Sequence, residues 1–174
     1  MDDDLLLVRE IYGQVIKKKV FYGNKSFSIL DTRIKCILED NRKFYLERAS
    51  PEIVFFLREL NGKQTRDDRE RFVDILMSIP GIIDSLSKYM RKIVIDNYDE
   101  KTGLYSASVE FCDGSIVIKR KMIPSHAIFL AKLAKKPVYV KKSLVDQQEE
   151  MYNLLVELES LNNDRDEYEE DEYI

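Results

Sequence analysis

Residues 122–140, Met-Ile-Pro-Ser-His-Ala-Ile-Phe-Leu-Ala-Lys-Leu-Ala-Lys-Lys-Pro-Val-Tyr-Val, spell out a stop, a helix and a strand without a gap. Pro124 has no N–H and pushes Ile123 toward extended geometry, so it halts the strand before it. Ser125 reads as the N-cap, its hydroxyl placed to accept from the first turn. Ile128, Leu130, Ala131 and Ala134 recur at helical spacing, and Lys132, Lys135 and Lys136 gather where cations suit the helix dipole. Pro137 ends that helix, and Val138, Tyr139 and Val140 read as a strand. A helix that delivers the chain straight into a sheet calls for a fold in which the two pack together.

The flanking segments supply the rest of that fold. Residues 5–12 are apolar and fit a short strand or a helix. Val15 to Tyr22 reads as a strand, Gly23-Asn24-Lys25 as a turn and Phe27 to Leu30 as the return strand. Ile34, Cys36 and Leu38 alternate with Arg33, Lys35 and Ile37, which predicts a strand with one face in the core, and Asp40-Asn41 turns it into a hairpin with Lys43 to Leu46. Ser50-Pro51-Glu52 starts a helix: a cap, a proline at the first position and an acid near the positive end of the dipole. Ile53, Phe56, Leu57 and Leu60 form its expected buried stripe, and Asn61-Gly62 ends it. A helix over 70–78 with Phe72, Val73, Leu76 and Met77 inward, a break at Pro80-Gly81 and a short helix over 82–89 follow. Three strands come next, Ile93 to Tyr98, Leu104 to Phe111 and Ser115 to Lys121, joined by hairpin signals. Leu144 to Leu161 carries Met151, Leu154, Leu155, Leu158 and Leu161 at helical spacing, an amphipathic helix expected to dock on the body or on a partner.

Charge is unevenly placed. Residues 163–174 hold seven acids against Arg165, a local charge of −6 within a formal total of −4, so residues 1–162 carry +2. So acidic a segment, poor in apolar residues, is expected to be a disordered tail, and a basic partner is one thing it could bait. A body charge of +2 is weak for a dedicated nucleic-acid binder. The two cysteines, Cys36 and Cys112, show no Cys-x-x-Cys spacing and read as buried or half-buried thiols on strands. Met1-Asp2-Asp3-Asp4 is acidic where a secretory signal needs a basic start, and no apolar run approaches the length of a membrane span. The expectation is a soluble, cytoplasmic protein with no membrane contact.

Pro124, Ser125, Ala127, Ile128, Pro137, Tyr139 and Val140 resemble, in order and spacing, the closing pattern of the bifunctional nuclease domain family: Arg-Pro-Ser-Asp-Ala-Ile, a short apolar helix, then Pro-Ile-Tyr-Val. Glu52 and the helix ending Leu60-Asn61-Gly62 are similar to that family's Glu-Ala, apolar helix, Leu-Glu-Gly segment, and Leu104 to Val109 to its Phe-x-Ala-x-Leu strand. The likeness spans about residues 33–147. It implies hydrolysis of phosphodiester bonds in DNA or RNA, and it implies a homodimer. Such chemistry needs a positioned water, a general base and stabilisation of charge on phosphorus, often with a divalent metal such as Mg or Mn held by carboxylates.

Glu52 and His126 are the catalytic candidates. His126, the single histidine, would be a general base or phosphate-facing donor at a helix N-terminus; alternatively it replaces an acid that stabilised the helix start. Glu52 would be a base or ligand, or simply an acid suited to the helix dipole. Ser125 and the arginines Arg66, Arg69 and Arg71 are candidates for holding phosphate. Asp67 and Asp68 are weak metal-ligand candidates, since acids in a surface loop are usually just solvated. Three polar positions depart from the family: its His-Asp pair is absent from residues 64–73, and its arginine before the Pro-Ser is Ile123. Keeping an apolar framework while changing polar positions is what a shared fold with altered chemistry looks like.

The reading is an α+β protein: an antiparallel-rich sheet with helices packed on it, an amphipathic C-terminal helix and a disordered acidic tail. It divides into N-terminal strands over 1–32, a nuclease-like core over 33–147, the C-terminal helix over 148–162 and the tail over 163–174. Two functions fit: a nuclease, or a non-catalytic dimeric scaffold that recruits a basic partner through its tail and helix.

Overall fold

The computed structural model describes residues 4–63 and 69–161. In chain order it runs β1 (Leu5–Tyr22), β2 (Lys25–Leu38), β3 (Lys43–Glu47), α1 (Pro51–Leu60), α2 (Phe72–Ser78), α3 (Ile82–Tyr89), β4 (Met90–Asp99), β5 (Leu104–Asp113), β6 (Ile116–Met122), α4 (Pro124–Ala134), β7 (Val138–Lys141) and α5 (Lys142–Leu161). The architecture is α+β. The strands form one sheet in the order β3-β2-β1-β7-β4-β5-β6. Every pairing is antiparallel except β4 with β7, which is parallel. The undecided apolar segment 5–12 is the first half of β1, whose Leu5, Leu6 and Leu7 pair with β7. β2 crosses the point between residues 32 and 33, so the N-terminal strands and the nuclease-like segment share one sheet.

Register explains which side of the sheet is dry. Cys36 lies opposite Ile11 and Phe44, Val140 opposite Leu6 and Ile95, and Val109 opposite Ile93. Residues facing each other across a ladder share a side. Ile34, Cys36, Leu38, Phe44, Ile93, Ile95, Ala107, Val109 and Val140 are all fully buried on that side. It also curls. Phe44 on β3 and Tyr105 on β5 are five places apart in the strand order, yet their rings meet edge to face with centroids 5.1 Å apart. The seam between these two strands is closed by Gln148 of α5. Its side-chain oxygen accepts from the Tyr45 N–H at 2.7 Å, and its nitrogen donates to the Tyr45 carbonyl at 2.9 Å and to the Tyr105 hydroxyl at 3.2 Å. The carboxamide thus does for the edge strand what a neighbouring peptide group would do.

Helices α1 and α4 fill the curled side. Ile53, Val54, Phe56 and Leu57 of α1 are buried, each contributing about 1.5–3 kcal/mol relative to exposure. Leu60, expected in that stripe, is 55% exposed at the last position of the helix, while Val54, outside the expected stripe, is fully buried. In α2 only Val73 is fully buried; Phe72 and Met77 face outward, contrary to the expected pattern. α4 is buried nearly all round, from Pro124 to Ala134, being held between α1, α3 and the sheet. Lys135 closes it in the left-handed conformation (φ 52°). Cys36 is buried and Cys112 half-buried, both on strands and both free thiols. No helix among the described residues is long and apolar enough to cross a membrane. The acidic segment 163–174 lies outside the described residues.

Candidate functional site

The site candidates that fall among the described residues lie at or near three helix starts. In α1 Pro51 takes the first helical position, since its missing N–H would have no partner there, and Ser50 is the N-cap in backbone conformation. The Ser50 hydroxyl nevertheless makes no cap bond. In α4 the cap is Ile123, extended at φ −63° and ψ 128°, with Pro124 first in the helix; Ser125, expected as the cap, is one place inside it and buried. A proline directly before Ser125 moves the helix start back by two residues. The Ser125 hydroxyl turns instead to the neighbouring helix, where its Oγ accepts a long bond of 3.5 Å from the Ser50 N–H.

That contact fixes how the helices lie. Ser50 meets Ser125 at the two starts, and further along both helices Phe56 meets Phe129 edge to face at 5.0 Å. Contacts in the same order along both mean that α1 and α4 run side by side in the same direction, with their positive dipole ends together. No side chain caps either start. Glu52 stands two residues beyond Ser50 and His126 one residue beyond Ser125, so both catalytic candidates flank the same junction. His126 is exposed.

The carboxylate of Glu52 also has structural work. Its Oε1 accepts from the Val73 N–H at 3.2 Å, satisfying a donor at the start of α2. Arg71, the N-cap of α2, completes that start. It donates from its backbone N–H and Nε to Asp74 Oδ2 at 2.9 and 3.0 Å, and from Nη2 to Asp74 Oδ1 at 3.1 Å and to Glu59 Oε2 at 2.6 Å. The hydrogen bonds to Asp74 push the Arg71 guanidinium above its usual range, and the same bonds hold the Asp74 carboxyl below the usual carboxylate range. Arg71 Nη1 is buried and has no hydrogen-bond partner among the described residues. Arg71 therefore ties α1 to α2 before it can serve any ligand.

Of the other candidates, Arg69 is exposed, while Arg66, Asp67 and Asp68 lie outside the described residues. Among the described residues no group of three or more His, Cys, Asp or Glu side chains is placed to hold a metal ion. The described donor set does not fit a carboxylate-held divalent metal. The structure sets the first turns of α1 and α4, which carry Glu52, Ser125 and His126, side by side, with the Glu52 carboxylate bonded to the start of α2, where Arg71 is the N-cap. A scan of the sequence against family models matches none, and a search of the curated proteins finds no match.

Residues that sequence reasoning passed over do much of the positioning. Gly13 lets α1 approach β1, Gln148 closes the sheet seam, and Arg42 joins the β2–β3 turn to α5 through Asp146 at 2.7 Å and Glu149 at 3.2 Å. A glycine inside a strand pattern is a signal of close approach. For Gln148 and Arg42 no local pattern exists, since their partners lie far away in the chain.

Proposed function

We propose that this chain is a phosphodiester hydrolase of the bifunctional nuclease type, acting on DNA or RNA where α1 and α4 begin. The observation that carries the reading is the pair of uncapped helix starts lying together, with Glu52 and His126 beside them. Backbone N–H groups at the first turn of a helix have no intrahelical acceptor, and the dipole favours an anion there. A phosphate held at that junction would lie near His126, which is exposed and would take a proton from an attacking water. Glu52 would orient that water or the histidine. The order of elements in residues 122–140, a helix feeding a central strand, agrees with the sequence resemblance.

The test is hydrolysis of end-labelled single-stranded DNA and RNA, each with and without Mg²⁺ or Mn²⁺, by the wild-type chain and two variants. Glu52→Gln keeps an acceptor for the Val73 N–H while removing the charge, and His126→Ala alters an exposed side chain. Both variants are expected to fold and to lose cleavage by 10²-fold or more, about the contribution of a general base. Cleavage unchanged in both would remove the assignments.

A second reading is favoured by the bonding of Glu52 and Arg71: polar groups that the nuclease needs are engaged in joining helices. On it the chain is a non-catalytic dimeric scaffold that recruits a basic protein through residues 163–174 and α5. Recovery of the same proteins with and without residues 163–174 would count against recruitment by that segment. Both readings share the homodimer that the resemblance implies.

A further inference from the structure

Two parts of this chain reach beyond the core and expose apolar side chains. The first is the outer half of the β1–β2 hairpin. Every residue from Lys17 to Leu30 is exposed, although the two strands remain paired to the turn, Tyr22 opposite Lys25. Opposed pairs Lys18–Ile29, Val20–Phe27 and Tyr22–Lys25 share one side of this ribbon. That side is therefore a patch of Val20, Tyr22, Phe27 and Ile29 with a lysine at each end. Residues 17–30 contain four lysines and no acid. Lys18 is anchored to Asp31 at the base of the arm, 2.6 Å away.

The second is the outer part of α5. Its first two turns are held by buried Leu144 and Val145 and by Gln148, but every residue from Glu149 to Glu159 is exposed. Met151, Leu154, Leu155 and Leu158 follow the i, i+3, i+4, i+7 spacing of one apolar face. Glu150 and Glu157 lie along one margin of that face and Glu159 along the other. Residues 150–159 hold three acids and no base, while Asp146 and Glu149, nearer the start of the helix, are paired with Arg42.

We propose that the hairpin arm of one copy packs on the α5 face of a second copy, and reciprocally. This deepens the dimer included in both functional readings by naming its surfaces, and it rests on that dimer and not on the chemistry. Charge selects the pairing. Two α5 helices face to face would oppose glutamates to glutamates, and two arms would oppose lysines to lysines, whereas arm on helix places each basic patch against an acidic one. Dimensions agree: six residues of strand extend about 20 Å and eleven residues of helix about 16 Å. A two-fold arrangement uses the same contact twice, which doubles the apolar area covered with a single set of residues.

The experiment is sedimentation equilibrium on the full chain, with Phe27→Asp in the arm and Leu155→Asp in the helix, both at exposed positions. Wild type is expected to be a dimer and each variant a monomer with unchanged circular dichroism. A 1:1 mixture of the two variants is expected to associate again, because in the mixed dimer one of the two contacts is wild type on both sides. Neither arm–arm nor helix–helix pairing allows that rescue. A monomeric wild type at tens of micromolar would overturn both the exchange and the dimer. A dimer untouched by either substitution, or variants that stay monomeric when mixed, would overturn the exchange and leave a dimer built on another surface.

Discussion

Gly13 sits in the middle of β1, where a side chain would point at α1. A Cβ built there lies 2.3 Å from the Val54 carbonyl oxygen and 3.2 Å from the Val54 Cα, both backbone atoms that cannot swing aside. Gly13→Ala must therefore push α1 off the sheet, and it is expected to cost about 1–3 kcal/mol, read from the urea midpoint. A midpoint shift under a few tenths of a kilocalorie would show that the helix can move freely. The cysteines make a second prediction at this scale. Burial pushes the Cys36 thiol up to about 12, while Cys112 is half-buried with its thiol 3.3 Å from the Gly114 carbonyl. One thiol per chain is expected to react with an aromatic disulfide reagent in the native state, and the other only in denaturant. Two fast thiols would contradict the burial of Cys36. The alternation around Cys36 made its inward position readable in the sequence. Leu60, Phe72 and Met77 were read inward and face outward, because a helix at the margin of a core buries fewer positions than its apolar spacing offers.

Elements were largely legible because their boundaries are local. Pro51, Pro124, Pro137 and the glycines at turns act on their own neighbours. The extents differ where tertiary contact decides: segments 5–12 and 15–22 are one strand, β1, and 27–30 and 33–38 one strand, β2, because the two pair without a break from Glu10 opposite Ile37 to Tyr22 opposite Lys25. What closes β3 was not legible, since nothing about Gln148 distinguishes it from Gln147 until α5 is set against Tyr45. Gln148→Leu would leave the Tyr45 N–H and carbonyl without partners in a half-buried seam, a loss of about 1–3 kcal/mol. Gln148→Glu can still accept from the N–H but cannot donate to the carbonyl or to Tyr105, so its loss in a denaturant titration is expected to be comparable or larger. A stability ranking with leucine above glutamine would mean that the seam is dry enough to prefer an apolar plug. The same blindness applied to the candidate site. Glu52 and His126 could be picked out one at a time, but their common junction depends on Ser50 meeting Ser125, a contact between two helices that no spacing encodes.

At the scale of the whole molecule, the curl of the sheet sets α5 against the β2–β3 turn, and ion pairs lie at this join and at two others between neighbouring elements. Asp31 on β2 is bonded by Lys18 on β1, Asp74 at α2 by Arg71 and, through it, connected to α1, and Asp146 on α5 by Lys142 and by Arg42 from the β2–β3 turn. In each case the first-named hydrogen bond holds the carboxyl below its usual range. A carboxyl with a depressed value in the folded state contributes stability that is fully present above its unfolded value, about 4, and that is lost as pH falls through the folded value. The urea midpoint is therefore expected to stay level from pH 7 to about 5 and to fall below about 4. Asp74→Asn isolates one of these contributions, because an amide oxygen can still accept from the Arg71 N–H while the charge is gone. The variant is expected to be less stable than wild type at pH 7, and the two curves should converge at acid pH, once the wild-type carboxyl has also lost its charge. Curves that stay parallel down to that pH would mean that Asp74 acts by shape alone and that the acid sensitivity resides in the other joins.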